Sequence, residues 1–229
     1  MILKSHLQHL KKVKHRKYHK IIREMKHEGF SRKTLLYLKE YGPHTNVPRT
    51  IIRESINILI FASIISSLGG FALENIKEVF ITLTPLVILL PVLNGMVGNY
   101  GTIISSRFTT LLHEGKIKSN WHKNIELNNL FAKIILISVI IAILSASVAL
   151  VISNLTGTAV NITTIYKILI IAVLDMLILV FILFFVAISA GLYFFKKGED
   201  PDNFLIPITT SIADLGNMLL LALLVMLMF

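Results

Sequence analysis

From residue 51 onward the chain is built of apolar stretches of membrane-spanning length, divided by short polar connections. Nothing else in it constrains the fold as strongly. A helix rises 1.5 Å per residue, so about 20 apolar residues cross the roughly 30 Å of hydrocarbon in a bilayer. In that medium every backbone polar group must find its partner inside the segment or in a closed barrel. The pattern predicts an all-α integral membrane protein with five transmembrane helices per subunit, at about 54–73, 79–103, 129–153, 164–190 and 205–229. Mean hydropathy is +0.73. The excess is concentrated beyond residue 50, which rules out an ordinary water-soluble domain.

Residues 1–50 have the opposite character and form a separate unit from the membrane part, 51–229. They carry thirteen Lys and Arg against Glu24, Glu28 and Glu40, an excess equal to the net charge of +10 of the whole chain. Leu3, Leu7, Leu10, Tyr18, Ile21, Ile22 and Met25 recur at helical spacing, which predicts a basic amphipathic helical arm on the cytosolic side. Such an arm suits anionic lipid headgroups, and no nucleic acid is expected as a partner. His15 and His19 have a zinc-compatible spacing without carboxylate or thiol company. There is no cysteine, so disulfides and thiolate chemistry are excluded. With the N-terminus inside, the inner face also receives Arg107, Lys116, Lys118, Lys123, Lys196 and Lys197, and the C-terminus lies outside. A multi-pass protein of the cell (plasma) membrane is the expectation.

The second span contains Pro85, Pro91, Gly95, Gly98 and Gly101. Prolines cost a helix about 3 kcal/mol and glycines about 1, which predicts a break at mid-membrane. Such a break exposes carbonyls to a pathway, or the same glycines serve close helix packing. Asp175 and Asp214 are the charged residues deep within spans. A carboxylate there costs about 2.5–3.5 kcal/mol, and it either faces a water path or is a neutral structural acid. No intramembrane Lys or Arg is on hand to pair with them, which points to a mobile cation. Magnesium keeps much of its water and takes one or two carboxylates. A two-fold axis would double one Asp into two, so a homodimer with a shared pore is expected.

Two stretches carry a resemblance to a known family. Pro91-Val-Leu93-Asn-Gly95-Met-Val-Gly98-Asn99, followed by Ser106-Arg107, Thr110 and Gly115, resembles the second membrane helix and following loop of the MgtE magnesium transporters. The similarity extends to their eukaryotic solute-carrier relatives. Asp200-Pro201-Asp202-Asn203, Ile206-Pro207 and Asp214 resemble that family's fifth helix. The resemblance implies a dimer with its pore between helices two and five. It places a hydrated Mg2+ on Asp214, with Asn99 and Gly95 lining the site and the carbonyls of Thr210 and Asn217 completing it. Asp175 lies outside both motifs and stands as a metal-site candidate on its position alone. Bacterial members carry a large magnesium-sensing region, and no segment here has the length expected of one. Val97 and Ile103 also depart from the family pattern.

The function expected is therefore magnesium or related divalent-cation transport, with Mg2+ as cargo and no organic cofactor. No catalytic motif is evident, so no enzymatic activity is expected. The alternative is a non-transporting metal sensor or anchor that works through its basic arm.

Overall fold

The computed structural model describes residues 47–117, 124–158, 160–197 and 199–229. The arm, with His15 and His19, lies outside the described residues except for its last few positions. The described elements are all helical: α1 Val47–Glu74, α2 Lys77–Thr82, α3 Thr84–His113, α4 Ile125–Leu155, α5 Ile162–Lys197 and α6 Pro201–Met228. All but the short α2 are long and apolar enough to cross a membrane, which matches the five spans expected. Large apolar side chains such as Phe71, Leu136, Ile140, Leu144 and Phe181 point outward along α1, α4 and α5. A soluble protein rarely exposes so continuous an apolar surface.

The second span departs from expectation. Its break falls at Leu83, between α2 and α3, and α3 then runs unbroken through Gly95, Gly98 and Gly101 to His113. In hydrocarbon a freed carbonyl has no water to turn to, so the ladder holds despite poor helix formers. Pro85 sits in the first turn, where its missing N–H costs nothing. Pro91 removes a single bond. Only Gly101 serves close packing, since a Cβ there would lie 3.2 Å from Thr209 Cβ; at Gly95 and Gly98 it would meet nothing within 4 Å.

The helix ends are fixed by local chemistry. Gly115 has φ +70 and closes α3, with its N–H on Leu112 O and the Lys116 N–H on Leu111 O. This double bond pattern needs a left-handed residue, and glycine takes that conformation without penalty. Gly157 closes α4 the same way, through Asn154 O and Ser153 O. Asn124 caps α4 by accepting from Leu127 N–H, and its amide donates to Lys116 O at 2.8 Å, tying the two ends of the α3–α4 connection together. Asp200 caps α6, followed by Pro201.

α6 is the hub, packing against α1, α3 and α5, while α4 lies on α3 and α5. Ser55 meets Asn203 and Ser66 meets Asp214. Both pairs have the same offset, so α1 and α6 run parallel, as the first and last of five alternating spans must. The core is tightly packed where α3, α5 and α6 meet. Gly191 on α5 is buried there, and a Cβ would lie 2.6 Å from Phe108 Cε1 and 3.1 Å from Leu205 Cδ1. Phe108 is itself wholly buried and has nowhere to go. Gly191→Ala is therefore expected to lower stability by about 1–3 kcal/mol, the usual range for overpacking, when unfolding is followed in detergent. Gly70→Ala, where a Cβ meets nothing within 4 Å, should leave the midpoint unchanged or raise it.

Candidate functional site

Asp214 stands at the midpoint of α6, about 20 Å of helix from either end. Its carboxylate is held by two neutral donors from two other helices. Ser66 Oγ on α1 donates to Oδ2 at 2.9 Å, and Asn94 Nδ2 on α3 donates to Oδ1 at 2.9 Å. Asn94 Oδ1 in turn accepts from Asn217 Nδ2 at 3.2 Å. The buried Asn217 thus fixes the amide orientation that Asn94 needs to face the carboxylate. Asp214, Ser66 and Asn94 all remain partly exposed. A carboxylate has about four lone-pair directions, and these two bonds use half of them. The group is aimed by neutral donors, and no Lys or Arg pairs with it among the described residues.

α3 places Pro91, Gly95 and Asn99 on one exposed stripe at a spacing of four. Gly95 and Gly98 leave the backbone of that face bare of side chains. Pro91 has no N–H to give to the Val87 carbonyl one turn earlier, so an acceptor is freed close to this stripe. Thr210, one turn before Asp214, turns its hydroxyl back onto Ile206 O at 2.9 Å and Pro207 O at 3.2 Å.

The site residues expected from sequence divide accordingly. Asp214 and Asn217 belong to one network, but Asn217 enters through its side-chain amide, whereas its carbonyl was expected. Gly95 and Asn99 lie on the open face of α3, adjacent to Asn94. The carbonyls of Thr210 and Asn217 stay within an uninterrupted helix, so each offers only the lone pair the helix leaves unused. The mid-membrane break that was expected to bare carbonyls around Gly95–Gly101 is absent, because α3 is continuous there. Asp175 is fully buried on α5 among Ile171, Ala172 and Leu179, with neither oxygen hydrogen-bonded among the described residues. It is not joined to the Asp214 network. Ser66 and Asn94 were not singled out from sequence. Their one signal there is a neutral polar side chain inside an apolar run.

Among the described residues no three His, Asp or Glu side chains come together. Within one subunit, a cation at Asp214 would therefore meet a single carboxylate with amide, hydroxyl and carbonyl oxygens around it. Oxygen donors without nitrogen or sulfur suit hard divalent ions.

Five helices long and apolar enough to cross a membrane, three of which meet at one aimed, partly exposed carboxylate, define the class as an integral membrane protein. Residues 90–224 match the model of MgtE, a divalent cation transporter family, and the chain belongs to that family. It is 31% identical over 188 residues to solute carrier family 41 member 2 of Homo sapiens and of Macaca fascicularis, and 32% identical over 190 residues to that of Mus musculus. Each alignment covers 76% of this chain and 32% of the relative, so the chain spans about a third of the length of the curated relatives it matches. No solved structure matches.

Removing Asn94 tests the network. Asn94→Ala takes a donor from Asp214 and leaves the Asn217 amide buried and unpaired, a loss of about 1–3 kcal/mol. The double variant with Asn217→Ala should cost less than the sum of the two single changes, since each orphans the same bond. Denaturant unfolding of the four proteins in one detergent measures the coupling. Strict additivity would mean the two amides do not act together.

Proposed function

We propose that this chain carries magnesium across the plasma membrane as a homodimer, with the ion path between the α3 and α6 faces of two subunits. The observation that supports it best is the Asp214 carboxylate, aimed by Ser66 and Asn94 and left half-used on an open face. A hydrated Mg2+ gives up water reluctantly and is well served by one or two carboxylates with its own waters still bound. Two subunits about a two-fold axis supply two copies of Asp214, Asn99 and the Gly95 backbone. Membership of a divalent cation transporter family supports the cargo class. The basic residues gathered at the α3–α4 and α5–α6 connections support an inner location for those ends. A membrane potential, inside negative, then favours inward movement by about 2.3 kcal/mol per charge per 100 mV, and twice that for a divalent ion.

Flux into liposomes tests this. Purified protein should carry Mg2+ down its gradient, and Asp214→Asn, which keeps the shape and can still accept from Asn94 while donating to a turned Ser66 hydroxyl, should reduce flux to that of protein-free vesicles. Asn99→Ala, on the exposed face, should lower flux with little change in thermal stability. Equal flux in wild type and Asp214→Asn would place the ion path elsewhere in the molecule.

A further inference from the structure

The last turns of α3 and the first turns of α4 line an open cavity of about 520 Å³, at the end of the bundle where basic residues collect. Its charged groups fall into two sets. Lys116 lies 2.9 Å from Glu114 and 3.2 Å from Glu126. Hydrogen bonds to Glu114 first, and then to Glu126, raise its ammonium above the ordinary lysine value. The two carboxylates are thus occupied by a cation that keeps its proton, and a metal ion would have to displace it. Arg107 and Lys133, one from each helix, form the second set. Both line the cavity, and neither makes an ion pair among the described residues. The cationic groups left available therefore call for an anion.

The depth of the site says what sort of anion. Lys133 stands eight residues inside α4, about 12 Å along its axis, and Arg107 six residues before the end of α3, about 9 Å. Beyond Lys133, α4 turns apolar and presents Leu136, Ile137 and Ile140 outward. Leu111 and Leu130 form an apolar wall to the same cavity. Long basic side chains at this level reach along an apolar surface toward the headgroup layer. A ligand that fits has a phosphate at one end and hydrocarbon at the other.

We propose that this cavity is a binding site for the headgroup of an anionic phospholipid, its phosphate held by Arg107 and Lys133. Basic pockets between membrane helices on the cytosolic side suit such headgroups, and the planar guanidinium of Arg107 matches phosphate in a two-pronged geometry. The amide of Asn129 lies in the same lining to donate to a headgroup oxygen. The site is separate from the Asp214 network and does not depend on which ion crosses there.

The experiment uses the full chain in neutral detergent, titrated with phosphatidylglycerol or phosphatidylcholine. Lipid retained per chain is counted by native mass spectrometry, and the thermal midpoint is read in parallel. Wild type should bind phosphatidylglycerol saturably, with a rise in midpoint, and prefer it to phosphatidylcholine. R107Q and K133Q should each weaken binding about fivefold, the effect of one basic residue near a headgroup. R107K, which keeps the charge, should weaken it less than R107Q, and Lys77→Gln on the opposite end of the bundle should change nothing. Equal retention of the two lipids by wild type overturns the proposal without recourse to any variant. Unchanged phosphatidylglycerol binding by folded R107Q and K133Q also overturns it, and so does the same midpoint rise with millimolar inorganic phosphate alone, which would assign the site to a free anion.

Discussion

A carboxylate in the middle of a membrane has to be stabilised by something other than bulk water, and the arrangement of α1, α3 and α6 follows from how this one is. The cost of placing it there is about 2.5–3.5 kcal/mol. A hydrogen bond to a charged group returns about 1.5–3, so the two donors on Asp214 offset it. The donors come from different helices, Ser66 on α1 and Asn94 on α3. Stabilising the charge and joining the helices are therefore one event. α1 packs chiefly on α6, where Gly69 lies close against Met218. Van der Waals contact alone gives little preference for protein over lipid tails. The Ser55 and Ser66 bonds add direction to that packing and help fix the register of α1 on α6.

The prolines of α6 and α3 show the same constraint acting on the backbone. Pro207 has no N–H for the Asn203 carbonyl, and Ser55 on α1 donates to that oxygen at 3.3 Å. One serine satisfies a carbonyl that the fold has freed, and a second, three helical turns on, satisfies the carboxylate. The hydroxyls of Thr209 and Thr210 return to the carbonyls of Leu205 and Ile206, so this stretch of α6 is unusually rich in side-chain bonds to its own backbone. Pro91 frees the Val87 carbonyl in the same manner beside an open face. In water these prolines would end the helices. In hydrocarbon, with replacement donors at hand, they mark where the backbone offers an oxygen sideways.

Hydropathy makes the five spans legible because length and apolar content are local properties of the chain. Asp214 was legible for a similar reason: a charge in an apolar run is conspicuous wherever the run ends up. Ser66 and Asn94 were not, since serine and asparagine occur in membrane helices for several reasons and only the packing of α1 and α3 on α6 brings them to one carboxylate. Asp175 shows the limit from the other side. It is as conspicuous in the sequence as Asp214, yet α5 turns it into the core, away from Ser66 and Asn94. The glycines of α3 were misjudged for a physical reason. Propensities measured in water overstate the chance of a break where no water competes for the backbone.

Those glycines also separate what the subunit needs for itself from what it does not. Gly101 is required within the chain, because Thr209 occupies the space a side chain would take. At Gly95 and Gly98 a Cβ would meet nothing within 4 Å, so no contact among the described residues explains two residues that each cost a helix about 1 kcal/mol relative to alanine. They lie on the face that carries Pro91 and Asn99, next to the amide that aims Asp214. A backbone stripped of side chains at that level admits close approach of something large and polar, and a divalent ion with its water shell has that character. One carboxylate cannot neutralise such an ion, which is the reason the proposed path takes a second subunit facing this surface. In the proposed dimer the bare face of one subunit would meet the half-used carboxylate of the other, and the two features would serve the same ion.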